Sequence, residues 1–129
     1  MGLFTFRKKD DDNKTIRWLN EVDQVYNKAF QTRNAAGLEK YLARPCLAAV
    51  MESVRLGQQV YAGLDRYRHV AWTNDGKTPD TSSWIKDVTY DDVKMSHGVV
   101  VPVGDAYHER WKLVIDTNQN RISEIRRIG

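Results

Sequence analysis

The N-terminal half of the chain carries apolar residues at helical spacing. From Thr15 onward they recur every three or four positions, which places them on one face of an amphipathic helix, while polar residues cover the other face. The apolar face consists of Trp18, Leu19, Val22, Val25, Tyr26, Ala29 and Phe30. The polar face consists of Arg17, Asn20, Glu21, Asp23, Gln24 and Lys28. We therefore predict a long first helix that begins at Thr15.

Two shorter helices are predicted next. Asn34 can cap the first of them, because its side chain accepts a hydrogen bond from a backbone N–H of the first turn. Pro45 suits the first turn of the second of these helices, because a backbone N–H in the first turn has no acceptor within the helix. Their apolar sides are formed by Leu38, Tyr41, Leu42, Leu47, Val50, Met51 and Val54. Gly57 and Gly63 are alternative ends for the last helix.

After about residue 67 the apolar residues alternate with polar ones, which is typical of β-strands. Strands are predicted at 68–73, 84–95, 99–103, 107–116 and 121–128, with loops or turns at 74–83, 96–98 and 117–120. The alternation that starts at Trp84 reaches Met95 only if one extra residue is inserted near Asp91, which is the pattern of a β-bulge. Helices followed by an antiparallel meander predict an α+β fold, with three helices packed on one face of the sheet.

The strand at 107–116 has a carboxylate in its apolar row. One face carries Tyr107, Glu109, Trp111, Leu113 and Ile115, and the other carries His108, Arg110, Lys112, Val114 and Asp116. A buried carboxylate is costly unless it is paired, hydrogen-bonded or neutral. Glu109 is therefore a working acid, a structural partner of a cation, or a residue at the rim of a pocket.

A structural ion pair is the interpretation of Glu109 that we favour. The candidate cations are Arg17, Arg66, Arg68, Lys94 and Arg126. Arg126 is the preferred partner, because adjacent antiparallel strands place side chains opposite each other. The adjacent acids Asp91 and Asp92 are interpreted as a solvated or protected strand edge.

The order of these elements resembles the nuclear transport factor 2-like superfamily, whose fold is cystatin-like and cone-shaped. The resemblance covers 15–128: a long helix, the segment "NAAGLEKYL", a third helix and hairpins that end in "YHERWKLVIDTNQNRISEIRRI". It is most specific in the last hairpin. It implies a strongly curved antiparallel sheet that forms a cone with the helices, and the cone interior holds a ligand, an active site or core side chains.

Under this resemblance, residues on the concave face of the sheet line a pocket. They are Trp72, Trp84, Tyr90, Tyr107, Glu109 and Trp111. We predict a non-catalytic module that binds a small apolar ligand or a protein partner. The alternative is a small cone-pocket enzyme of isomerase, dehydratase or hydrolase type, in which Glu109 is the general acid or base.

The residues on the opposite face of the sheet predict a surface for protein–protein contacts. It carries His108, Arg110, Lys112, Val114 and Arg127, a mixture of basic and apolar side chains. Many members of the superfamily that the chain resembles dimerise through the exposed sheet. A homodimer is therefore the first partner expected, and a different protein is the second.

Length and charge agree with a single domain. A chain of 129 residues, of which 41% are hydrophobic, can bury a substantial core. The net charge of +3 comes from 20 basic and 17 acidic residues, a balance that does not favour nucleic-acid binding. We predict a flexible polar tail at 1–14 and one domain at 15–129.

No cofactor or metal is predicted. His69, His97 and His108 lack the spacing of metal ligands, and no glycine-rich phosphate loop joins a strand to a helix. Cys46 is the only cysteine, so it forms no internal disulfide; it is interpreted as a small buried residue and suits a reducing compartment, the cytoplasm. The apolar stretch at 3–6 is too short for a signal peptide or membrane span, so stable membrane anchoring is not expected. A weak surface anchor formed by 3–9 is the alternative to a polar tail, which we favour.

Overall fold

The computed structural model describes the backbone at 2–57, 68–96 and 99–129, and side chains at 11–57, 68–90 and 108–129. Its elements are α1 (Gly2–Thr32), a 3-10 turn (Ala36–Leu38), α2 (Arg44–Arg55), β1 (Arg68–Lys77), β2 (Thr81–Ser96), β3 (Val99–Asp116) and β4 (Arg121–Arg127). The predicted α+β class is confirmed. The predictions for Gly63, Arg66 and His97, and for the side chains of Asp91, Asp92, Lys94 and Tyr107, fall on residues outside those described.

The four strands form one antiparallel sheet in the order β1-β2-β3-β4, which is the predicted meander. The strands predicted at 99–103 and 107–116 form the single strand β3. Pairing between β2 and β3 is irregular between Asp91 and Val93, where the bulge is predicted. The turn at 117–120 is also where the sequence predicts it, and it closes on Asn120, whose φ of 53° is one that asparagine tolerates.

The described residues contain two α-helices, not three. The predicted second helix is only a 3-10 turn, because Asn34 and the chain beyond it take other partners. The Asn34 Oδ1 accepts from the Ala36 N–H at 3.0 Å, two residues on, in place of capping a longer helix. Leu42 then forms a bridge with Ile122 at the start of β4. Tertiary pairing with the sheet therefore ends this helical segment early.

Helix α1 begins at Gly2, whereas the sequence predicts a polar tail at 1–14 and a start at Thr15. The segment is connected to the fold at Asp12, whose carboxylate pairs with Lys77 at the end of β1. The Thr15 hydroxyl donates to the Asp11 carbonyl at 2.9 Å, one helical turn earlier. No helix in the described part of the chain is long and apolar enough to cross a membrane.

The core lies between α1, α2 and one face of the sheet, here called the inner face. Its most buried residues are Leu19, Val22, Leu38, Leu42, Trp84, Val88 and Ile122. The predicted apolar face of α1 supplies much of this core, but Asp23 and Asn27 are buried beside it. The prediction that Asp23 faces away from the core is wrong, and the polar contacts of Asp23 explain why.

Candidate functional site

The register of the sheet brings aromatic and charged side chains into rows on the inner face. Trp72, Lys86, Trp111 and Arg127 are partners on four consecutive strands. Glu109 lies in the adjacent row, opposite Val88 of β2. The alternation predicted for 107–116 is confirmed at 108–115, because Glu109, Leu113 and Ile115 are buried while His108 and Arg110 are exposed.

Glu109 is a buried carboxylate with described partners. Its side chain is 7% exposed. The Trp111 indole N–H donates to Oε1 at 3.2 Å, and an Arg127 guanidinium nitrogen lies 3.6 Å from Oε2. Its described contacts thus include an aromatic donor from its own strand and a cation from β4.

The preference for Arg126 as the partner of Glu109 is wrong. The register pairs Trp111 with Arg127 and Lys112 with Arg126. Arg126 therefore lies on the outer face, and its guanidinium pairs with Glu124 of the same strand at 3.2 Å. The assignment of Arg127 to the outer surface is wrong for the same reason, because a register shift of one residue exchanges the two faces of a strand.

Asp23 forms a buried ion cluster that sequence reasoning missed. Its two carboxylate oxygens accept from the Arg68 guanidinium at 2.6 and 2.8 Å, and Oδ1 also accepts from the Lys86 ammonium at 2.8 Å. Arg68 also donates to the Tyr90 hydroxyl at 3.2 Å. Arg68 was a candidate partner of Glu109, but it pairs with Asp23. We call Asp23, Arg68 and Lys86 the buried ion cluster.

Burial and ion pairing act in opposite directions on this cluster. Burial raises the pKa of Asp23, but Lys86 and Arg68 outweigh it and lower the pKa to about 2. Burial lowers the pKa of Lys86 and Asp23 opposes that shift, while the pKa of Arg68 is raised because Asp23 outweighs its burial. Asp23 is thus ionised at neutral pH and unable to donate a proton.

Two aromatic rings surround the Lys86 ammonium. The nitrogen lies 4.8 Å from the Tyr26 ring centroid and 6.0 Å from the Trp111 ring centroid. Rings at such distances attract a cation through their quadrupoles. A sequence signal for the cluster existed: Lys86 stands in the apolar row between Trp84 and Val88, and a buried ammonium requires a counter-charge.

A groove of about 390 Å³ opens between α2 and the inner face of β3 and β4. We call it the α2 groove. Its walls are formed by Tyr26, Pro45, Cys46, Ala49, Val50, Ser53, Trp111, Ser123, Glu124 and Ile125. The rings that surround Lys86 therefore also line the groove. Burial raises the pKa of Cys46 to about 11, so the thiol is protonated at neutral pH and is a poor nucleophile.

The other aromatic residues predicted to line a pocket have different surroundings. Trp84 is 1% exposed and lies in the core, where its indole N–H donates to the Ser82 hydroxyl at 2.8 Å. Trp72 is half-buried, and its indole N–H donates to the Asn20 side chain at 2.7 Å. Tyr90 is buried against Arg68. Among the predicted residues with described side chains, only Trp111 lines the α2 groove.

The outer face carries the predicted contact residues His108, Arg110, Lys112 and Val114. Arg110 pairs with Asp87 at 2.8 Å, and Lys112 lies 3.8 Å from Asp75. The basic residues of this surface are therefore accompanied by acids from β1 and β2.

In the residues that the structure describes, no group of three or more His, Cys, Asp or Glu side chains is arranged to hold a metal ion. Comparison of the chain with family models, curated proteins and solved structures gave no match.

Proposed function

We propose that the chain is a non-catalytic binding module of nuclear transport factor 2-like type, and that its small, largely apolar ligand occupies the α2 groove. The carrying observation is that Tyr26 and Trp111 both line this groove and surround the Lys86 ammonium. A volume of about 390 Å³ is in the range of small-molecule sites, which combine apolar walls with a few polar groups. Ser53 and Ser123 provide hydroxyl groups in the wall.

The electrostatics favour binding over catalysis. A general acid or base works best when its pKa lies near the operating pH, whereas Asp23 is held ionised by two cations. The buried Cys46 thiol is held protonated. The buried ion cluster thus stabilises one arrangement of side chains, and the residues that line the groove recognise the ligand.

Filling the α2 groove tests this proposal. Ala49 is an exposed residue of α2 that lines the groove, and its neighbour Ala48 is exposed on the same helix but does not line it. Fragments that bind the wild-type chain, found by ligand-observed NMR, are expected to lose at least about tenfold in affinity in Ala49→Trp, because the indole occupies their space. They should bind Ala48→Trp as before. Equal binding to both variants would place the ligand elsewhere.

An enzyme with Glu109 as general acid or base is the second candidate. It is favoured by one observation: the buried Glu109 carboxylate accepts a hydrogen bond of 3.2 Å from the indole of Trp111, and Trp111 is part of the groove wall. Turnover in a broad substrate panel that disappears in Glu109→Gln would support this candidate over the binding module.

A further inference from the structure

A second groove, of about 380 Å³, lies where α1 passes the turn between β3 and β4. We call it the turn groove. Trp18 and Ile115 provide its apolar surface, and Lys14, Ser82 and Asn120 are among its polar residues. It shares no lining residue with the α2 groove, so it is an independent site.

The apolar surface of the turn groove is suited to a flat ring. Trp18 is half-buried, and its ring makes an edge-to-face contact with Tyr41, with centroids 6.1 Å apart and an interplanar angle of 64°. This contact restricts the orientation of the indole. Ile115 is only 6% exposed and belongs to the core. A planar apolar group gains dispersion and desolvation energy against such a fixed surface.

The charge at the turn groove is suited to an anion. Among the described side chains, Lys14 makes no ion pair, whereas Asp12 on the same helix pairs with Lys77. The carboxylate of Asp116, at the end of β3, accepts from the backbone N–H groups of Asn118 at 2.9 Å and Gln119 at 3.2 Å. Lys14 is the only charged side chain among the described residues that line the groove, so its ammonium can complement an anionic ligand.

Two further polar groups of the turn groove can donate to a carboxylate. Among the described side chains, the Asn120 carboxamide is exposed and has no hydrogen-bond partner. The Ser82 hydroxyl oxygen accepts from the Trp84 indole at 2.8 Å, which leaves its own O–H to donate. We propose that the turn groove binds a small aromatic carboxylate, with its ring against Trp18 and Ile115 and its carboxylate near Lys14 and Asn120.

NMR titration with indole-3-acetate tests this site on the intact chain. The indole N–H resonance of Trp18, assigned with Trp18→Phe, is expected to shift, while that of Trp111 in the α2 groove stays in place. Neutral indole-3-acetamide should bind at least about threefold more weakly, because it lacks the charge that Lys14 recognises. A shift confined to Trp111 would overturn the proposal, and so would equal binding of the two probes.

Matched variants separate charge recognition from a general change in the protein. Lys14→Gln is expected to weaken indole-3-acetate binding by about threefold, while Lys28→Gln, an exposed lysine on the same helix but outside the turn groove, should leave it unchanged. Asn120→Gly removes the carboxamide at a position whose φ of 53° glycine adopts readily, and should also weaken binding. Unchanged affinity in both Lys14→Gln and Asn120→Gly would overturn the proposed site.

Discussion

The two faces of the sheet use the same kinds of charged residue for different purposes. On the inner face, Lys86 is 4% exposed and lies 2.8 Å from Asp23 of α1, which is 6% exposed. On the outer face, Arg110 and Asp87 are also 2.8 Å apart, but they are 56% and 42% exposed. Water screens the attraction within the outer pair. The members of the inner pair have lost contact with water, so each charge is stabilised by its partner instead. Equal distances therefore correspond to unequal energies.

The largest expected effect comes from removing Asp23, the shared anion of the buried ion cluster. Asp23→Ala should lower the free energy of unfolding by about 3 to 5 kcal/mol, because it leaves Arg68 and Lys86 buried without their counter-charge. The matched outer-face change, Asp87→Ala, should cost no more than about 1 kcal/mol. Urea denaturation of both variants measures the difference. Similar losses in the two variants would contradict the contrast between the faces.

A smaller effect is expected from acid. The pKa of Asp23 is lowered from its ordinary value of 3.8 to about 2, so the folded state binds this proton less readily than the unfolded state. The resulting stability, about 2 kcal/mol, is present above about pH 4 and is lost as the pH falls towards 2. Denaturation curves at several pH values measure this loss, and an NMR titration of the Asp23 carboxyl group locates its pKa directly. A pKa at or above 3.8 would contradict the account.

The smallest of the three effects is expected at Glu109. Glu109→Gln should cost about 1 kcal/mol, because glutamine keeps an acceptor for Trp111 but loses the attraction of Arg127, whose side chain is 48% exposed and reaches water. Asp87→Asn, at the exposed ion pair with Arg110 on the outer face, is the control and should change stability by less than about 0.5 kcal/mol. Thermal denaturation of the two variants makes the comparison. A Glu109→Gln variant more stable than the wild-type chain would contradict this prediction, because it would show that the buried charge of Glu109 destabilises the fold.

Much of the fold follows from local patterns. The apolar spacing from Trp18 to Phe30 predicts α1, and the alternation around Trp111 predicts which residues of β3 are buried. The irregularity near Asp91 is visible as a break in that alternation. These features are predictable because the periods of helices and strands are properties of the backbone itself.

The candidate site depended on contacts between distant residues. Helical spacing assigned Asp23 to the polar side of α1, yet two cations from β1 and β2 stabilise it in the interior. The partner of Glu109 is Arg127 and not Arg126, since the strand register places Arg127 opposite Trp111. The sequence order of the two arginines does not define this register. The second predicted helix became a 3-10 turn when Leu42 paired with Ile122, 80 positions along the chain.

The sequence by itself determined the α+β class, the placement of helices before an antiparallel meander, and the position of Glu109 in the apolar row of its strand, because these depend on composition and on periodicity within single segments. The tertiary structure alone decided the partners of the buried charges and the positions of the two grooves. The physical reason is that an ion pair or groove requires residues from several elements to meet. Their register and packing result from the free energy of the whole core, which no single segment contains.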